Sequence, residues 1–104
     1  MNGNIIQGFR DVAKQVLPDG SKVWLYGSRA RGEANEDSDW DLLILVNKSS
    51  VNSSDEDAYC YPFVLWGWKN QADVSPILYT YEQWAQRVSS PFYNNVEQDK
   101  ISIL

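Results

Sequence analysis

Residues 22–46 read KVWLYGSRARGEANEDSDWDLLILV, and the architecture is decided inside this stretch. Lys22–Tyr26 is short, β-branched and aromatic, the composition of a strand. Asp41–Val46 is apolar on both faces, which marks a central buried strand. Between them, Gly27–Ser38 is polar, with two glycines and no apolar period beyond its two alanines. It reads as a loop with one helical turn over Arg29–Arg31. Antiparallel pairing of the two strands would set the Gly27-Ser28 corner beside Asp39 and Asp41, with the connection looping over one shared pocket.

Working outward, Ile5, Ile6, Phe9, Val12, Ala13, Val16 and Leu17 recur at three- and four-residue spacing, so an amphipathic helix precedes the first strand. Pro18-Asp19-Gly20 stops it. After the second strand, Asn47–Ser54 is a polar loop. Ser54 or Asp55 then caps a helix running to about Lys69, with Pro62 either kinking it or marking where it begins. Ala72–Tyr79 reads as a third strand, and Pro76 places that strand at a sheet edge or at a bulge. Thr80 with Gln83 has the form of a capping box opening a helix to about Val88. Pro91–Asp99 reads as one more helix, and Ile101–Leu104 as an apolar tail that docks or adds a strand. No repeat or linker is visible. The chain therefore reads as a single domain over residues 1–104, an α/β (α+β) sandwich with a small mixed sheet packed by helices.

The composition removes several chemistries. With no histidine, Ser-His-Asp, Cys-His and His-ligated metal mechanisms are unavailable to this chain alone. The single Cys60 can form neither an intrachain disulfide nor a zinc knuckle, in keeping with a reducing cytoplasm. No apolar run approaches the roughly 18 residues needed to span a bilayer, and the N-terminal segment lacks the features of a signal peptide. Nine Lys and Arg against fourteen Asp and Glu leave a net charge of −5, which argues against an extended nucleic-acid partner. The acids crowd between Glu33 and Asp57, where Lys48 is the only cation. Such crowding describes a solvated face or a site that gathers divalent cations.

Residues two apart on a strand project from the same face, so Asp39 and Asp41 point together while Trp40 points away. Two adjacent carboxylates repel each other, and a divalent cation turns that repulsion into attraction. Hard oxygen donors suit Mg²⁺, which is typically shared between protein carboxylates and substrate phosphates. Ser28 supplies the other half. A Gly-Ser corner exposes backbone N–H groups, Gly27 allows phosphate oxygens to approach, and the Ser28 hydroxyl adds a donor.

Gly27-Ser28-Arg29-Ala30-Arg31-Gly32 and Ser38-Asp39-Trp40-Asp41-Leu42 resemble the signature of the DNA polymerase beta-like nucleotidyltransferase superfamily. Within it, the chain is similar to minimal nucleotidyltransferases, the group of the MNT antitoxins and the kanamycin nucleotidyltransferase N-terminal domain. The resemblance implies transfer of a nucleoside monophosphate, usually AMP from ATP, to a hydroxyl, with two Mg²⁺ ions and pyrophosphate leaving (the EC 2.7.7 class). It implies that Asp39 and Asp41 hold both metals, and that Asp73, opening the third strand, is the third metal ligand and assists the acceptor hydroxyl. Asp55, Glu56 and Asp57 are the fallback for that third carboxylate. Gly27, Ser28, Arg29 and Ser38 fall at its nucleotide-binding positions. An aliphatic residue usually stands where this chain has Trp40, which demands a larger pocket behind the strand. The chain also lacks the acceptor domain of larger members, which leaves a helical partner protein or a small molecule as acceptor.

Plainer roles stand beside these. Arg29 and Arg31 are candidates for phosphate contact and equally for neutralising acids such as Glu33. Ser38 can orient its turn instead of touching ligand. Glu33, Glu36 and Asp37 fit a solvated loop, and Cys60 a packed thiol. The many aromatics fit core and interface, and on so small a chain they predict a homodimer or a partner protein. The rival to catalysis is a nucleotide-binding or protein-interaction module that keeps the fold and turns over little.

Overall fold

The computed structural model describes residues 2–104. In chain order the elements are α1 (Asn2–Val16), β1 (Lys22–Tyr26), α2 (Ser28–Arg31), β2 (Trp40–Val46), α3 (Ser53–Tyr59), α4 (Tyr61–Lys69), β3 (Val74–Thr80), α5 (Tyr81–Ala85), α6 (Pro91–Asp99) and β4 (Ile101–Ser102). The strands form one mixed sheet in the order β3-β2-β1-β4. β1 runs antiparallel to β2, with Lys22 opposite Leu45 and Tyr26 opposite Asp41. β3 lies parallel to β2, with Trp40 beside Val74 and Asp41 beside Ser75. A parallel pair needs a crossover connection, which α3 and α4 supply.

Period-two alternation divides the strands between two apolar layers. On one face Val23, Leu25, Trp40, Leu42, Ile44, Val46 and Val74 pack with Phe9, Val12 and Ala13 of α1 and Phe63 of α4. On the other, Leu43 and Leu45 pack with Trp84 of α5 and Val96 of α6, flanked by Trp24, Tyr26, Tyr79 and Phe92. β2 is the central strand and is buried from Leu42 to Val46, as its unbroken apolar run predicts. Pro76 sits on β3 at the sheet edge, where its missing N–H takes no bond from a ladder.

The helix expected as one piece from residue 55 to residue 69 is two. α3 ends at Tyr59, and α4 begins at Tyr61 with Pro62 in its first turn, where a missing N–H is harmless. The N-cap of α3 is Asn52, neither Ser54 nor Asp55. Asp55 instead occupies the third helical position, closing a capping box with Asn52 and accepting from Lys48 Nζ at 2.7 Å. The box of Thr80 and Gln83 forms as expected, although α5 stops at Ala85. β4 adds to the free edge of β1, and Ile103 behind it is 2% exposed.

Candidate active site

The site is built where β1 ends and β2 begins. Opposition of Tyr26 and Asp41 brings the next residue, Gly27, against the Asp41 side chain. Gly27 has φ 77° and ψ −160°, a region only glycine populates readily. A Cβ placed there would lie 2.5 Å from Asp41 Oδ2. Both the backbone and the space therefore require glycine. Beyond it Ser28 opens the single turn of α2, whose first N–H groups have no intrahelical acceptor.

Asp41 shares its sheet face with Leu43, and Asp39 precedes β2 on the same alternation. The Asp41 carboxyl is pushed above the usual range, first by partial burial, then by the negative charge of Asp39, with Arg31 opposing weakly. Asp39 accepts from Ser75 Oγ at 3.2 Å. Among the described residues, neither aspartate is in an ion pair. The pair is thus a concentrated, uncompensated negative charge with all-oxygen donors, a set that fits a hard divalent cation. Beside it, the Tyr26 phenol is pushed up to about 12 by burial, with contributions from Asp41 and Tyr79.

The remaining predicted residues fall into two groups. Arg29 and Ser38 shape the loop. Arg29 donates to the Ser38 carbonyl from Nε at 3.2 Å and Nη2 at 2.9 Å, while its guanidinium lies 4.5 Å from the Trp40 ring centre. Ser38 Oγ accepts from Asn35 N at 3.1 Å, closing the turn that delivers Asp39. Ser38 thus orients its turn, the plainer of its two roles, whereas Arg29 bonds backbone carbonyls and an aromatic ring, not the acids it was expected to neutralise. Arg31 does bond acids, Glu33 Oε1 and Asp99 Oδ2, each at 2.7 Å.

Asp73 lies just before β3, level with Asp39 in the parallel register, and its carbonyl accepts from Trp40 N at 2.8 Å. Among the described residues, no three metal-ligating side chains come together, so the structure does not join Asp73 to the pair in one cluster. The residue beside Asp41 is Ser75, which the sequence reading passed over although it follows Asp73 by the two residues of a strand period. Asp55 is paired with Lys48 at the start of α3, a structural role, as a helix start requires. Trp40 turns into the core at 4% exposure, edge-on to Phe9 at 5.7 Å, in the larger pocket that its size demands. Burial pushes the Cys60 thiol up to about 12, so it is a packed group and not a nucleophile.

Three solved structures share this fold. A toxin–antitoxin crystallised with AMP-PNP superposes with a TM-score of 0.69 at 13% identity, over 95% of this chain and 72% of that one. A mutant of the toxin–antitoxin MntA–HpeT gives 0.65 at 11% identity, covering 95% and 71%. A candidate nucleotidyltransferase from Sulfolobus solfataricus gives 0.61 at 21% identity, covering 95% and 78%. No curated protein sequence matches the chain. The sequence pattern of the nucleotidyltransferase domain matches residues 6–100, a span that holds the glycine corner, the paired aspartates and every strand of the sheet but β4. The chain belongs to the nucleotidyltransferase domain family.

Proposed function

We propose that the chain catalyses Mg²⁺-dependent transfer of AMP from ATP to a hydroxyl of a protein or small-molecule acceptor, with pyrophosphate leaving. The observation that supports this most is the seating of Gly27 against Asp41 Oδ2, which joins a phosphate-binding corner to a cation-attracting pair. In this reading Asp39 and Asp41 would hold two Mg²⁺ ions, with Asp73 as third ligand. When bound, the metal supplies charge neutralisation to the phosphate oxygens. Gly27 and the N–H groups of Ser28 and Arg29 receive the triphosphate, and the Ser28 hydroxyl donates to a terminal oxygen. Arg29 and Ser38 act one step back, fixing the loop that presents Asp39.

An antitoxin-like role, with a helical toxin as acceptor, draws support from the two toxin–antitoxin neighbours. A contact with a partner or a second copy, giving a homodimer, draws support from Trp68 and Tyr61 of α4, which are 61% and 48% exposed. Among the described residues no helix is long and apolar enough to cross a membrane.

A second reading, a nucleotide-binding module of little turnover, is favoured by the separation of Asp73 from the pair. Incubation with ATP radiolabelled at the α-phosphate, Mg²⁺ and candidate acceptors decides between them. The first reading expects label on an acceptor that chelation abolishes, and that Asp39→Asn and Asp41→Asn each reduce about a hundredfold or more. Label that persists without metal or in both variants refutes it. Metal-dependent ATP binding with no labelled product supports the second.

A further inference from the structure

A nucleotide needs a place for its base as well as its phosphates, and two cavities border the Gly27–Ser38 segment. The larger, about 480 Å³, is lined by Ile5, Arg29, Trp40 and Ala72. Trp40 projects from the opposite side of β2 to Asp39 and Asp41, so the strand itself stands between this cavity and the carboxylates. The other, about 410 Å³, opens on the carboxylate face, with Tyr26 and Gly27 at its edge and α6 as its far wall. Tyr26 is the cross-strand partner of Asp41, so this cavity begins where the phosphate corner ends. Its volume lies within the roughly 300–1,000 Å³ of small-molecule sites.

The wall is a set piece. Phe92, Asn95 and Asp99 recur at three- and four-residue spacing on one stripe of α6, with Gln98 beside them. Phe92 is held edge-on to Tyr26 at 5.6 Å. The Asp99 carboxylate, only 12% exposed, accepts from Arg31 at 2.7 Å and ties the end of α6 to α2 across 68 positions of sequence. Side-chain hydrogen bonds on α6 run through Glu97, Asp99 and Lys100. That leaves the Asn95 and Gln98 amides lining the cavity without a partner among the described residues. Each amide offers a donor and an acceptor side by side, the pattern that pairs with the amino group and ring nitrogen of adenine.

We propose that this cavity takes the nucleoside of the donor nucleotide, with Asn95 and Gln98 reading a purine edge and Phe92 lying against the sugar or base. The assignment rests on the nucleotidyl-transfer reading above. It is tested by calorimetric titration of the full chain, and of an Asn95→Ala/Gln98→Ala variant, with inorganic triphosphate, ATP and UTP in Mg²⁺. Both positions are exposed, so the variant keeps its fold. The wild-type chain is expected to prefer ATP over UTP by about tenfold or more. The variant is expected to lose that preference while holding inorganic triphosphate within about twofold of wild type. Unchanged ATP affinity and base preference in the variant overturn the cavity assignment and leave the transfer reading standing. Equal loss of triphosphate and ATP by the variant also overturns it. A wild-type chain that binds neither triphosphate nor ATP overturns the transfer reading, and the assignment falls with it.

Discussion

Asp41 and Gly27 meet at the candidate site, and each gives a measurable consequence. The folded chain holds a proton at Asp41 more firmly than the unfolded chain does, through burial and the neighbouring charge of Asp39. Ionisation there opposes folding, so the penalty is absent below about pH 4 and grows as pH rises through the carboxylate range. Asp41→Asn, which breaks no side-chain hydrogen bond among the described residues, should therefore raise Tm at neutral pH and leave it unmoved at pH 3. Millimolar Mg²⁺ should raise the Tm of wild type and leave the variant unmoved; a variant that unfolds instead marks Asp41 as structural. Gly27→Ala should lose about 1–3 kcal/mol in urea melts, because alanine is strained at this backbone conformation and its methyl meets Asp41. Glycine at 27 and acids at 39 and 41 were legible because strand alternation is local. The partnership of Arg31 with Asp99 was not, since no local rule links residues so far apart.

Elements are where sequence signals were strongest and where boundaries slipped. Lys22–Tyr26 and Pro91–Asp99 form as expected because each is bounded by residues with unambiguous roles, Gly27 in one case and the Ser90 cap in the other. The break at Cys60 escaped resolution because Pro62 is compatible both with a kink and with a first turn, and local chemistry does not separate the two. β3 starts at Val74, two residues later than expected, which leaves Asp73 ahead of the strand. Its start is set by the ladder with Trp40, a contact between distant segments. The capping box at α5 offers a clean test. Thr80 is fully buried, its hydroxyl accepts from Gln83 N at 3.0 Å, and its own N–H donates to Gln83 Oε1 at 2.9 Å. Thr80→Ala should cost about 1–2 kcal/mol and Thr80→Ser much less, read from denaturant midpoints at constant slope. Equal losses would assign the residue's worth to its methyl group.

At the scale of the molecule, residues 101–104 close the sheet edge. β4 pairs with β1 through Leu25 opposite Ile101, the backbone of Ile103 bonds Val23, and Arg10 of α1 donates to the Ile103 carbonyl at 3.0 Å. The Ile103 side chain, buried in the same apolar layer as Phe9, Val12 and Ala13 of α1, adds packing to these backbone bonds. Ile103→Ala should destabilise the chain by about 2–5 kcal/mol and lower Tm far more than truncation of exposed Ile101, which is 42% accessible. Comparable effects of the two would show that the tail adds backbone bonds and little packing. Local pattern was enough for the three main strands, for the leading helix, for the shared face of Asp39 and Asp41 with Trp40 behind them, and for the resemblance to the family. All but the last follow from periodicity, turn chemistry and short spacing, which act over a few residues, and the last follows from the likeness of the two motifs. The rest came with the folded arrangement: Ser75 beside Asp41, Arg29 on the Ser38 carbonyl, and α6 walling a cavity beside Gly27. Those placements depend on strand register and on packing between distant segments, which no local pattern encodes.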